Sequence, residues 1–497
     1  MISPEQYPVL IVVIPLLSAF IINVIGWFRK GFSYPLIVLS LIITFYLSVS
    51  TLLQVVDGGA ISYRLGGWPP PFGIEYVIDH LNALVLVVIS FVSLAAAVFS
   101  KESVKKELPD RIPQYYTLFI LLVTGLLGMT ITGDAFNLYV LIEIAALTSY
   151  ALIAFGRDRA LVSSFNYVIM GTVGASFYLL GVGHLYIMTG SLNMGDLLSI
   201  LPAISGSRAI FVAFLLIIVG IWTKMAFFPL HGWLPNAYTY APTATGVLVA
   251  PLMTKVSVYI MIRLMFSVFS ADYVFNTLNV HDIIVWMAVA AIIGGSLLAL
   301  TQTDFRRMLT YLIVAEVGYM VGGVWLANSA GITGAILHIL NDALMTLCLF
   351  LVAGIIYHKT RGHHLDDIRG LYRKMPFTMA AFTVGALSMI GVPPTVGFFS
   401  KWYLILGAID AGQWGFMAAL IISSLINAVL FFKVIEVGYF EPMHGHHDDG
   451  HHEVTIDEAP FSMLAPLYVI AVSLIVVGIY TSSIITNIIA HAVPKGL

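Results

Sequence analysis

A chain of 497 residues with one cysteine and only 10% charged side chains lacks most of what a soluble enzyme uses. The lone Cys348 cannot build a four-cysteine iron–sulfur cluster or close an internal disulfide. The charged share falls far below the roughly 25% of an ordinary soluble domain. A phosphate-binding loop is missing too: the only Lys followed by Ser or Thr is Lys359, and His358 stands where such a loop needs glycine. No basic segment precedes the first apolar run at Tyr7 and no small-residue cleavage pattern follows it, so that run reads as a retained helix rather than a signal peptide. With no redox ligands or nucleotide site of its own, the chain must draw energy from an ion gradient or a partner. No cofactor, metal or nucleic acid is expected on it.

What is abundant is apolar. Hydrophobic residues make up 59% of the chain, with a mean hydropathy of +0.95. Runs long enough to cross a hydrocarbon core of about 30 Å recur along the whole length, about 14 in all, which predicts an all-α integral membrane protein. Of the 23 Lys and Arg residues, most fall in alternate loops, from Arg29 and Lys30 through Lys105 and Arg306 to Lys374. Arg64, Arg208, Arg263 and Lys495 fall in the others. By the positive-inside rule the first set faces the cytoplasm, which places both termini outside a cytoplasmic membrane.

Two runs are interrupted. "KMAFFPLHGWLP" carries Pro229 and Pro235 beside Lys224, and "SMIGVPPTVGFFSKWYL" carries Pro393 and Pro394 beside Lys401. A break at membrane depth survives only where protein or a wet cavity satisfies the freed backbone. Each break falls in the fourth helix of a five-helix block, 113–267 (helices 4 to 8) and 281–438 (helices 9 to 13). A block with an odd number of spans, repeated in tandem, is inverted in the membrane, and paired broken helices point to a transport pathway. Residues 1–112 supply helices 1 to 3; residues 439–497 supply a His-rich loop and helix 14.

Ionisable residues inside the spans form a series: Glu143, Lys224, Lys255, Glu316, His338, Asp342 and Lys401. A charge at mid-span costs about 2.5–3.5 kcal/mol on insertion scales, so such groups face partners or water. A buried lysine changes its hold on a proton as a carboxylate approaches or leaves. Glu143 opposite Lys224 fits that role, and His338 and Asp342, four apart on one helical face, are expected to share a hydrogen bond and pass a proton on. The alternative for any one pair is a structural ion bridge between helices. His231 reads equally as part of a pathway or as polar packing, while His184 is expected to be a hydrogen-bonded core residue. Lys433 and Glu436 read as interfacial, and Asp134 and Asp304 as cap or loop residues. The tract "MHGHHDDGHHEV" from Met443 to Val454 is rich in histidine but lacks spacing on one helix face, so it is expected to be a solvated loop rather than a metal site.

"WTKMAFFPLHGWLPNAYTYAPT", "RRMLTYLIVAEVGYM", "HILNDALMTLCLFLVAG" and "GVPPTVGFFSKWYL" together resemble the antiporter-like proton-translocating subunits shared by respiratory complex I, membrane-bound hydrogenases and Mrp-type cation/proton antiporters. Within that family the chain is most similar to the branch of the D-type Mrp subunits, and the likeness covers about residues 113 to 440. The resemblance implies 14 helices in two inverted repeats, with helices 7 and 12 broken, and a polar axis at mid-membrane. It implies that Glu143 and Lys224 form the paired glutamate and lysine of the first half, Lys255 the connecting lysine, Lys401 the terminal lysine and His338 the histidine of the eleventh helix. It also implies partner membrane subunits, with protons and Na⁺ or K⁺ as the transported ions. The alternative within the family is the pumping module of a hydrogenase or an NADH or ferredoxin oxidoreductase, with redox centres on other chains. Two positions depart from the family pattern: Glu316, where many relatives carry Gln, Ser or His, and Thr346, where many carry Lys. Glu316 is therefore expected to pair with Lys255 or Lys401, or to serve a partner-dependent variant.

Overall fold

The computed structural model describes residues 4–441 and 456–494, so the His-rich tract and Lys495 lie outside the described residues. Among the described residues, 13 helices are long and apolar enough to cross a membrane. The protein is an all-α integral membrane protein. Its helices begin with α1 (Tyr7–Phe28) and α2 (Ser33–Gly58), followed by an antiparallel hairpin of β1 (Ile61–Arg64) and β2 (Glu75–Ile78). Next come α3 (His80–Glu107), α4 (Ile112–Ile131), α5 (Ala135–Ala154), α6 (Ala160–Thr189), the short α7 (Met194–Ile200) and α8 (Arg208–Met225). The chain continues with α9 (Leu234–Tyr240), α10 (Thr243–Leu264), α11 (His281–Leu300), α12 (Phe305–Trp325) and α13 (Ser329–Thr360). It closes with α14 (Leu371–Lys374), α15 (Pro376–Ile390), α16 (Val396–Asp410), α17 (Trp414–Phe440) and α18 (Phe461–Ile479). At 15 residues each, α15 and α16 are too short to cross alone; end to end they supply the span that the 13 long helices leave out.

Burial follows composition. The most apolar stretch of α13 is wholly buried, as expected of a helix that is hydrophobic all round, and its 32 residues reach roughly 48 Å at 1.5 Å per residue. Around it pack α3, α10, α12, α15, α16 and α18. The outer helices turn Leu17, Phe20, Phe165, Trp286, Leu425 and other large apolar side chains outward, as lipid requires.

The two expected breaks are present and are built differently. After Met225, Ala226 turns left-handed at φ 58°, and its N–H and that of Phe227 return to Thr223 and Trp222 carbonyls. A left-handed non-glycine residue costs on the order of 1–2 kcal/mol. The Trp233 indole, donating to Thr223 O at 3.0 Å, helps hold the turn. In the other break Gly391 takes φ 97°, and the Gly391 and Val392 N–H groups both return to Leu387 O. Lys224 lies in the last turn before its break, whereas Lys401 lies in the second turn after its own.

One turn occurs twice. At the start of α5, Asp134 caps the helix by accepting from Asn137 N–H, while Ala135 N–H donates to Leu192 O and Met194 N–H to Gly133 O. At the start of α12, Asp304 caps by accepting from Arg307 N–H, while Phe305 N–H donates to His363 O and Leu365 N–H to Thr303 O. Both aspartates are thus caps, as expected. With the α8–α9 break counted as one crossing, five crossings separate the two knots, so they lie at opposite ends of the bundle.

Candidate ion-translocation site

The seven residues of the series read from the sequence fall into four groups. In the first, α5 brings Glu143 to the end of α8, with its Oε1 3.4 Å from Lys224 Nζ. The lysine side chain is 7% exposed and the glutamate 25%, so the carboxylate sits nearer the outside of the chain. Two turns further along α5, Tyr150 places its hydroxyl 3.4 Å from the same ammonium. Room for that hydroxyl comes from Gly171 on α6, where a Cβ would lie 1.8 Å from it. Tyr150 also meets the Tyr167 ring edge-on, and Tyr167 stacks on Trp233 at 3.8 Å, which ties this group to the break after Lys224. Beside Lys224 a cavity of about 20 Å³, lined by Ile142, Ile221, Met253 and Ser257, reaches α10 and has room for about one water.

The second group is wholly buried. Lys255 of α10 lies 2.8 Å from Asp342 Oδ2 of α13. Thr346, one turn on, donates to Asp342 Oδ1 at 2.8 Å and lies 3.4 Å from Lys255 Nζ. In the third group His338 Nε2 lies 2.5 Å from Glu316 Oε2 of α12, and Nδ1 lies 2.8 Å from Ser400 Oγ of α16. The imidazole therefore bridges three helices. The fourth is Lys401, whose ammonium donates to Met389 O at 2.7 Å, Ile390 O at 3.4 Å and Ser424 Oγ at 3.3 Å. None of these partners is a carboxylate. The Tyr319 ring faces the ammonium at 5.3 Å.

Three expectations are corrected, those for the His338–Asp342 hydrogen bond, for Glu316 and for His184. His338 and Asp342 share one helix face but no hydrogen bond, because neighbouring helices bring each a better partner. Glu316 pairs with neither lysine: α12 aims it at His338, and Asp342 takes Lys255. His184 is no core residue; it is half-exposed on α6 and contacts its own helix at Leu180 O. His231 is half-buried in the turn after the α8 break, stacked on Phe228, with no hydrogen-bond partner at Nδ1. Lys433 and Glu436 are exposed on α17. In the last turn of α13, Lys359 pairs with Asp457, which lies outside the spans, and that hydrogen bond holds the exposed Asp457 carboxyl below its usual range.

Residues 132–427 match the family model described as NADH:quinone oxidoreductase/Mrp antiporter, transmembrane. The chain belongs to this family. Relatives fall on both sides of the family's name. A protein named as the N-type subunit of an NADH-quinone oxidoreductase, from Desulforudis audaxviator, is 44% identical over 98% of each chain. One named as the D-type subunit of a Na⁺/H⁺ antiporter, from Alkalihalophilus pseudofirmus, is 32% identical over 80% of each. Among solved structures, a chain of the Mrp complex from Dietzia sp. DQ12-45-1b superposes with a TM-score of 0.88 at 25% identity, covering 98% of this chain and 96% of that one. A chain of an archaeal membrane-bound sulfane sulfur reductase gives 0.87 at 30% identity, covering 97% and 96%. The family's members are thus subunits of multisubunit membrane assemblies, of antiporter and respiratory type alike.

Sequence reasoning missed Tyr150, Ser400, Ser424 and the mixed carbonyl set around Lys401. Two signals pointed to part of this: Tyr150 is seven residues, or two turns, after Glu143, and Ser400 precedes Lys401. Nothing local to α15 marks Met389 and Ile390 as partners of a residue beyond the break.

Proposed function

We propose that this chain carries protons across the cytoplasmic membrane as the D-type component of an Mrp antiporter, in exchange for Na⁺ or K⁺. Its two five-helix blocks, 113–267 and 281–438, form inverted halves, with both termini outside. The reading rests above all on one observation: three lysines are buried among apolar helices, two paired with carboxylates, Glu143–Lys224 and Lys255–Asp342, and the third, Lys401, held by neutral oxygens. A structural ion pair needs no such series, and each buried charge is costly unless paired. Glu143 and Lys224 are close but not locked at 3.4 Å, and the carboxylate is partly exposed, so a neighbouring protein of the assembly can draw it away. The lysine then releases its proton toward the cavity beside α10. Lys255–Asp342 and Glu316–His338–Ser400 continue the path toward Lys401, each link coming from a different helix pair. The repeated turn at Asp134 and Asp304 supports inversion of the halves.

The 44% identical relative, named for an NADH-quinone oxidoreductase, favours a second reading, in which the same relay pumps protons for a respiratory oxidoreductase. The redox centres then sit on other chains, since Cys348 is buried and alone. Purifying the assembly separates the two: iron–sulfur subunits mark the oxidoreductase, and their absence together with small Mrp-like membrane subunits marks the antiporter. In vesicles containing the antiporter, added NaCl or KCl collapses an imposed pH gradient. A gradient that persists with both salts contradicts the antiporter reading.

A further inference from the structure

The chain does not stop where its last span ends. α18 finishes at Ile479, the chain turns at Tyr480, and 481–494 runs on as a strap of short helical turns packed against α3 and α13. Thr481 and Ile489 are buried and Ile485 between them is half-buried, whereas Ser482, Thr486 and Asn487 are exposed, so the strap lays one face on the bundle. It lies where α3 and α13 begin, the side of both termini and the outside in the orientation proposed above. Ile485 and Val493 of the strap form one wall of a cavity of about 720 Å³, with Thr333 of α13 and Tyr403 and Asp410 of α16 among the others. Thr333 comes five residues before His338, about 7.5 Å along α13, and Tyr403 comes three after Ser400. The cavity therefore stands between the outer side and the Glu316–His338–Ser400 group.

Among the described residues the strap has one ionisable side chain, His491, and it stacks on another. Its ring lies 4.8 Å from that of His80, the first residue of α3, with the two planes 17° apart. His491 is exposed and His80 half-buried, so protons from the solution reach both. An imidazole ordinarily changes charge between about pH 5 and 8, and two like charges this close oppose each other. Neutral or singly charged, the pair holds the strap down; doubly charged, it pushes the strap away. Few other charges face the pair. Asp79 adjoins His80, but Arg263 of α10 engages it through hydrogen bonds of 2.6 and 2.9 Å, which leaves little net charge to hold two imidazoliums together. Glu75 of β2 is taken up by Ser62 and Asn193, and Asp410 lies across the cavity on α16. The first two turns of α13 and the whole of α18 bring no charged side chain. We propose that the strap 481–494 is an acid-released gate, latched by the His80–His491 stack, that opens the cavity to the outer solution when both imidazoles are charged. Its effect on transport rests on the relay reading; its movement does not.

The test is the distance between spin labels on the intact assembly, at Asn487→Cys on the strap and Ala411→Cys just beyond α16, with the unsubstituted assembly as blank. Both positions are exposed, and the chain's own Cys348 is buried. Between about pH 8 and about pH 5 the separation is expected to grow by about 5 Å, one helical turn, as the strap lifts. His491→Phe keeps a ring on the stack and removes its charge, so the distance stays short at both pH values. The double change His80→Lys, His491→Lys fixes the repulsion and gives the long distance at pH 8. A native distance that does not change with pH overturns the latch, as does a native pH response in assembled His491→Phe protein. Proton flux into vesicles, measured at a fixed pH difference, is expected to rise several-fold as the outer solution is acidified, and His491→Phe is expected to abolish that rise. A strap that moves without altering flux overturns the gate. Absent flux with a moving strap overturns the relay and leaves the latch standing.

Discussion

The Lys255 ammonium and the Asp342 carboxylate lie 2.8 Å apart, fully buried, and come from helices α10 and α13. They therefore tie α10 to the buried α13 inside the bundle. Removing one partner of a buried pair leaves an uncompensated charge, at a cost of about 3–5 kcal/mol, whereas replacing both with apolar groups of similar volume is near neutral. Asp342→Asn is expected to lower the yield of assembled protein. The double change Lys255→Met, Asp342→Leu is expected to restore the yield yet leave transport abolished. Recovery of transport in that double variant makes the pair purely structural.

Tyr150 is the second neighbour of Lys224, and its place depends on a glycine of another helix. A hydrogen bond to a charged group contributes about 1.5–3 kcal/mol, so Tyr150→Phe is expected to slow proton transport on the order of tenfold with assembly intact. Gly171→Ala, whose Cβ would fall 1.8 Å from the Tyr150 hydroxyl, is expected to produce the same loss without touching any polar group. Native rates in both variants remove Tyr150 from the relay.

Glu316→Gln keeps the size of the side chain and removes its charge. With a neutral amide facing His338, the Glu316–His338–Ser400 bridge loses its ionic end, and transport is expected to fall at least tenfold with a changed pH profile. An unchanged profile in reconstituted vesicles makes Glu316 a bystander.

Much of this was legible in the residues. The apolar runs located every span, because a helix in lipid needs about 20 apolar residues and little else. The prolines located both breaks. They did not tell which half-helix each lysine serves: Lys224 faces across to α5, while Lys401 reaches back over the break to carbonyls of α15. Periodicity put His338 and Asp342 on one face of α13, but the choice of partner was made by α12 and α10, whose approach no spacing along α13 encodes. The repeated turn at Asp134 and Asp304 was hidden for a related reason. Each knot joins backbone groups about 60 residues apart, and beyond the capping aspartate the side chains that follow differ in the two copies.

In the proposed function Lys224 holds and releases the proton that this chain moves. The direct measurement is proton flux into vesicles containing the intact assembly with Lys224→Ala, compared with native protein at equal protein content. The variant is expected to assemble and its flux to fall to the level of protein-free vesicles, with Glu143→Ala giving the same result. Native flux in fully assembled Lys224→Ala protein contradicts it.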